Sequence, residues 1–225
     1  MAAVAGMDRY PEGILVVGLG RFGGQVAASL VRLGHEVLAI DQDELIVQRW
    51  ADRLTHVVQA DATDEHVLRQ LGVADLSRAI VGIGTDIEAS VLTVLALSDL
   101  GVKEVWAKAI TAKHGKILAA VGADHVIYPE AAMGERVAHL IASQMLDFIE
   151  FDDGYAIAKV QAPTEAVGRT LAESRLRSKY GITVVGVKMT GSDFTYARPE
   201  TMVYGGALLI VAGKTPDVER FAAIT

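Results

Sequence analysis

Cysteine is absent from the 225 residues, which excludes disulfides, thiolate zinc sites and thiol nucleophiles without deciding a compartment. A positive charge balance is missing too. Lysine and arginine number 21 against 28 aspartates and glutamates, a formal net charge of −7, whereas nonspecific nucleic-acid binding needs a basic surface to displace counterions from phosphates. The most apolar stretch, residues 91–102, is short and broken by Asp99, far from the run of about 18 apolar residues that a membrane span requires. The opening MAAVAGMDRYPEG lacks the charged-then-apolar pattern of a signal peptide. A soluble cytoplasmic chain without membrane insertion is expected. Catalytic equipment is equally thin: the six histidines are scattered without paired metal spacing, no serine sits in a G-x-S-x-G elbow, and no general base has an orienting partner.

What is present is a core and a glycine fingerprint. At 51% hydrophobic and 22% charged, the chain can bury one large or two small domains. Residues 14–41, ILVVGLGRFGGQVAASLVRLGHEVLAID, read as strand, glycine turn, helix and second strand ending in an acid. Ile14 to Val17 form the uninterrupted apolar run of a strand buried on both faces. Gly18, Gly20 and Gly23 fit G-x-G-x-x-G: the first permits the turn, the second lets backbone approach a pyrophosphate, and the third lets helix pack on strand. Asp41 stands about 20 residues on, the spacing of an acid that binds ribose hydroxyls and repels a 2′-phosphate. Nucleotide binding follows, with NADP disfavoured. Arg21, a cation beside a helix N-terminus, suits a phosphate chain more highly charged than a dinucleotide's, so ADP or ATP competes with NAD; a solvated surface arginine is the plain alternative.

Farther along, Asp43 is expected to cap a helix through Trp50, and His56 to Gln59 form a third strand. Asp61 reads equally as lining an adenosine pocket with Thr63 or, like Asp64, as a helix cap. A fourth strand over 79–83 ends at Gly84-Thr85, at the carboxyl edge where ligands sit, and Thr85 or Asp86 caps the helix after it. A fifth strand over 104–110 carries Lys108 out of an apolar run. A sixth follows over 125–128. Strands alternating with helices signify a mostly parallel sheet. Beyond Pro129 and Glu130, a single helix is expected over 133–149, its stripe of Val137, Leu140, Ile141, Met145, Leu146 and Phe148 serving either core packing or an interface with a second subunit. Asp152, Asp153 and Gly154 mark a boundary. Strands are expected over 155–160, 182–188 and 194–197, with a last one over 207–212 and a short helical stretch between Leu171 and Leu176. About 70 residues is too few for the substrate domain of a dehydrogenase and suits a sensing or dimerising module.

The GRFG loop, the later DAT, the IGT after the fourth strand, WAKA, GADHVIYPEAAMG and LRSKYGITVVGVK together resemble the RCK/KTN-domain cytosolic regulatory subunits of Ktr/Trk-type bacterial potassium uptake systems. The resemblance implies a Rossmann-like doubly wound, mostly parallel α/β sheet (the RCK N-domain) plus a small α+β RCK C-domain. It implies a flexible extension over 1–12, a nucleotide-binding domain over 13–131, a crossover helix and linker over 132–151 and the C-domain over 152–225. Carried over by residue, it puts Gly18, Gly20, Arg21, Phe22 and Gly23 at the phosphates of ATP or ADP, with Arg21 sensing the terminal phosphate. It puts Asp41 and Gln42 at the ribose, Asp61, Ala62 and Thr63 beside the adenine, and Gly84 and Lys108 within reach of the nucleotide. Glu130 would face its symmetry mate and bind magnesium or calcium, or else serve as a helix N-terminal charge. Cyclic di-AMP would meet Leu176, Arg177, Tyr180, Gly181, Ile182 and Pro199. The implied partner is a membrane potassium-translocating subunit of the KtrB/TrkH kind, served from the inner face of the membrane by homodimers assembled into a ring, an octamer. Function would be non-catalytic gating; an NAD(H)-binding redox sensor or an NAD-dependent oxidoreductase is the rival.

Overall fold

The computed structural model describes residues 13–151 and 153–225; the expected extension over 1–12 and the boundary residue Asp152 lie outside them. The described chain divides after Glu130 into two compact units.

The first unit alternates strand and helix throughout. Strand β1 (Ile14–Val17) leads to α1 (Arg21–Arg32), β2 (Val37–Asp41) to α2 (Glu44–Trp50), and β3 (His56–Gln59) to α3 (Glu65–Gln70). After a 3-10 turn come β4 (Arg78–Val81), α4 (Ile87–Asp99), β5 (Glu104–Lys108), α5 (Ala112–Ala120) and β6 (His125–Ile127), and α6 (Pro129–Ala142) leads out. The six strands are parallel, in the order β3-β2-β1-β4-β5-β6. Neighbours in β1 serve opposite faces: Leu15 and Val17 join one buried cluster with Leu68, Val94 and Leu97, while Val16 joins another with Ala27 and Val37. The apolar run of β1 is thus explained by helices on both faces of the sheet. The strand order reverses between β1 and β4, which opens a crevice beyond their carboxyl ends.

Helix starts in this unit follow their side-chain chemistry. Asp43 accepts from the amides of Leu45 and Ile46, Asp64 from those of His66 and Val67, Asp86 from that of Ala89 and Thr111 from that of His114. The choice between Asp61 and Asp64 resolves for Asp64 as the cap. Among the described residues no side chain caps α1, which begins at Gly20 with no acid in its first turn.

The second unit is an antiparallel five-stranded sheet, ordered β10-β9-β11-β8-β7. Its elements are β7 (Asp147–Phe151), β8 (Tyr155–Gln161), α7 (Leu171–Ser174), α8 (Leu176–Tyr180), β9 (Thr183–Lys188), β10 (Phe194–Tyr196), β11 (Leu208–Lys214) and α9 (Thr215–Ala222). One expectation is corrected here. The helix expected over 133–149 stops at Ala142, and residues from Asp147 onward pair with β8, with Phe148 opposite Ala158. Phe148 is buried while Ile149 and Phe151 are exposed, so this segment meets its core as a strand. Strand β11 is the last strand, as expected, and a helix that sequence reading did not single out follows it: α9, whose Val218, Phe221 and Ala222 complete the buried cluster. Of the expected stripe on α6, Leu140 packs on that cluster, while Val137 and Ile141 are exposed, Ile141 with 80% of its surface; Met133, outside that stripe, is exposed as well.

Candidate nucleotide site

The three glycines of the loop differ in what holds them. Gly18 has φ of +84°, a left-handed conformation that side chains disfavour. A methyl group on Gly23 would stand 1.9 Å from the Gly18 carbonyl oxygen, so helix α1 could not approach β1 with any other residue there. A methyl group on Gly20 would meet nothing within 4 Å. Packing therefore leaves the bareness of Gly20 unexplained, and close approach of a ligand explains it. Gly82, after β4, reaches into the same turn: its Cβ would lie 3.1 Å from the Gly18 oxygen and 3.2 Å from Gly23 Cα. Both strands flanking the crevice thus end in glycine.

Leu19, between the glycines, is tied at both peptide groups. Its N–H donates to Asp41 Oδ2 at 2.7 Å, and its carbonyl accepts from the Trp50 indole at 3.2 Å. Asp41 Oδ1 also accepts from the Asp43 N–H at 2.9 Å. Asp41 therefore braces the loop, and its remaining lone pairs are the ones left for hydroxyl donors. Trp50 packs over Gly24, where a methyl group would lie 2.3 Å from its ring. Trp50 and Gly82 were not singled out by sequence reasoning; the G-x-G of Gly82 and Gly84 at a strand end was the available signal, and Trp50 had none.

Cations gather on the other side of the loop. Lys108 leaves the carboxyl end of β5 with its ammonium 5.8 Å from the Phe22 ring centroid and close beneath Gly84, whose Cβ would meet Nζ at 3.2 Å. It forms an ion pair with Glu130 at the start of α6, Lys108 being 12% exposed and Glu130 67%. The hydrogen bond from Lys108 is the main reason that the Glu130 carboxyl ionises below its ordinary range, with a smaller attraction from Arg21. Arg21, Phe22, Gly84, Lys108 and Glu130 thus form one neighbourhood around the α1 N-terminus. Asp61 lies at the end of β3 and accepts from the N–H and hydroxyl of Thr63 at 2.9 and 2.7 Å, bonds that lower its pKa, the backbone one most. Thr63 is half-buried and Ala62 buried, while Gln42 is exposed and its carbonyl accepts from the Gln59 amide.

This arrangement can bind an anion and has little to do chemistry with. The first-turn amides of α1 carry no capping side chain, and an uncapped helix N-terminus with positive side chains beside it favours phosphate. Glu130 fits a hard cation poorly on its own. Such ions take six or more oxygens, whereas this carboxylate is already matched by Lys108.

The six residues assigned to a second ligand occupy one region of the second unit in different settings. Leu176 and Ile182 are buried in its core, and Tyr180 donates its hydroxyl to Glu165 at 2.6 Å. Gly181 ends α8 with φ of +75°. Arg177 and Pro199 are exposed, and the Pro199 carbonyl accepts from the Ala172 N–H.

Residues 14–129 match the TrkA-N domain family and residues 155–225 the TrkA-C domain family. The Ktr system potassium uptake protein C of Bacillus subtilis is 38% identical over 207 residues, covering 92% of this chain and 94% of that protein. The RCK domain of GsuK has the same fold, with a TM-score of 0.66 at 23% identity over 95% of this chain and 47% of its own. The GsuK channel bound to NAD gives 0.63 at 22% identity over 92% of this chain and 38% of its own. The present chain spans less than half of each of those GsuK chains.

Proposed function

The chain belongs to the TrkA-N/TrkA-C family, and from that premise we propose that it is a non-catalytic, nucleotide-binding regulatory subunit of a potassium-uptake system. One observation carries the reading: the uncapped N-terminus of α1, with an empty approach at Gly20, lies among Arg21 and Lys108 at the point where the strand order reverses. The phosphates of ATP or ADP belong against those amides, and Asp41 and Gln42 belong at the ribose. Asp61, Ala62 and Thr63 border the adenine. Arg21 discriminates, because only ATP supplies a further phosphate for it.

Gating follows by linkage. Two nucleotides shift a conformational equilibrium only if each prefers a different state. Homodimers of this chain, closed into a ring at the inner face of the membrane, would transmit that preference to a potassium-translocating partner. A divalent cation at Glu130 would need the same carboxylate from a second copy, with water or nucleotide phosphate oxygens to complete its shell. Cyclic di-AMP would draw on Arg177, an exposed cation on α8, and on the backbone near Gly181 and Pro199.

Calorimetric titration of nucleotide-stripped protein with ATP, ADP, NAD and NADH tests the reading. Tight ATP and ADP with weak NAD is the expected result. Arg21→Ala should remove the preference for ATP and leave ADP binding largely intact; equal loss of both would refute the discriminator. Asp41 favours a second reading, NAD(H) sensing, because an acid at the end of β2 suits the free ribose of NAD as well. Tight binding of NADH alone would establish that reading instead.

A further inference from the structure

Elements α6, β7 and α9 bring together side chains that nucleotide binding does not use. Glu135 and His139 stand one helical turn apart on α6 and Glu150 on β7, and one donor atom of each lies within 4.8 Å of the others. The neighbours of this trio matter more than the trio itself. His139 Nδ1 lies 3.1 Å from Glu219 Oε1 on α9, and the His139 ring stacks on Phe148 with centroids 4.4 Å apart. Thr215 Oγ1 donates to Glu150 Oε1 at 2.7 Å. A carboxylate behind an imidazole, and a hydroxyl behind a carboxylate, are the outer contacts that orient metal ligands.

We propose that Glu135, His139 and Glu150 form a site for a divalent transition metal within the second unit, with Glu219 and Thr215 as its positioning residues. Nδ1 faces Glu219, which leaves Nε2 for the ion. Magnesium and calcium prefer all-oxygen sites. One imidazole with two carboxylates suits zinc or manganese, and the usual order of affinities puts zinc first. Two donors bound to zinc at about 2.1 Å stand at most about 4.2 Å apart, so a small rotation of these surface side chains closes the site. Charge points the same way: Glu135, Glu150 and Glu219 converge on one imidazole, and like charges so placed repel unless a cation neutralises them. Bound metal would pin α6 to the sheet and to α9.

The test is calorimetric titration of the full chain, stripped with chelator and free of nucleotide, with zinc sulfate and, separately, with manganese and magnesium chlorides. One zinc equivalent per chain is expected, with magnesium far weaker. Binding should weaken at least about tenfold in His139→Gln and in Glu150→Gln, weaken in Glu219→Gln by about 10- to 100-fold, and stay unchanged in Glu44→Gln, on the exposed start of α2. Circular dichroism checks that each variant is folded; should His139→Gln misfold, Glu150→Gln on its exposed position carries the comparison. A visible spectrum of the cobalt-loaded protein that changes in His139→Gln would report the imidazole as a ligand. Absence of saturable zinc binding, or binding that both substitutions leave untouched, would overturn the proposal.

Discussion

A single methyl group separates the roles of Gly20 and Gly23. At Gly23 it would strike the Gly18 carbonyl, and at Gly20 it would enter open space. Gly23→Ala should therefore cost about 1–3 kcal/mol of stability, the usual penalty of overpacking, read from urea denaturation. Gly20→Ala should leave that transition in place and weaken nucleotide binding in calorimetry. The Glu130 carboxyl offers a check on its own surroundings. Its folded pKa is depressed by Lys108 and, less strongly, by Arg21, so the stabilisation from this pair is complete above the unfolded value of about 4.3 and is lost as pH falls through the lower folded value. In Lys108→Met, the Glu130 titration followed by carboxyl NMR should move up toward that ordinary value; an unmoved midpoint would show that Lys108 is not the cause.

At the scale of elements, α6 was half legible. It begins at Pro129, a turn before the expected Met133; outward Met133, Val137 and Ile141 follow a helical period, yet the same apolar spacing continues through Met145 and Phe148 after the helix has ended. The adjacent Phe148 and Ile149 give this short segment no strict two-residue alternation to mark it as a strand, and pairing with β8 decides in favour of strand. Helix α9 was missed for a related reason: TPDVERFA looks polar until Val218 and Phe221 are seen to meet a core assembled from distant strands. By contrast, the βα alternation of the first unit, the cap at Asp43 and the glycine loop rest on local chemistry and were readable directly, while the cap of α4 was narrowed to Thr85 or Asp86 and falls on Asp86. Of the site residues brought in from afar, Gly82 left a signal in its G-x-G with Gly84, and Trp50 left none. The outward face of α6 carries a prediction of its own. If it meets a second copy of the chain, Ile141→Asp should convert dimer to monomer in sedimentation velocity while the circular dichroism spectrum stays native, since Ile141 packs against little else.

For the whole molecule, each unit carries its own buried clusters, so unfolding need not be a single step. Leu15→Ala should lower the transition of the first unit and Phe221→Ala that of the second, by about 2–5 and 3–5 kcal/mol respectively. Nucleotide at about 100 times its Kd should raise the first transition by about 2.7 kcal/mol and leave the second where it is; calorimetric scans of the two variants separate these effects. The double hold on Leu19, by Asp41 from one side and Trp50 from the other, then bears on speed. A cradle already set before its ligand arrives has no ordering step to wait for. The observed rate of nucleotide association should accordingly rise in proportion to concentration without reaching a plateau, so that the receptor answers a change in nucleotide level as fast as encounter allows and any lag belongs to what happens after capture.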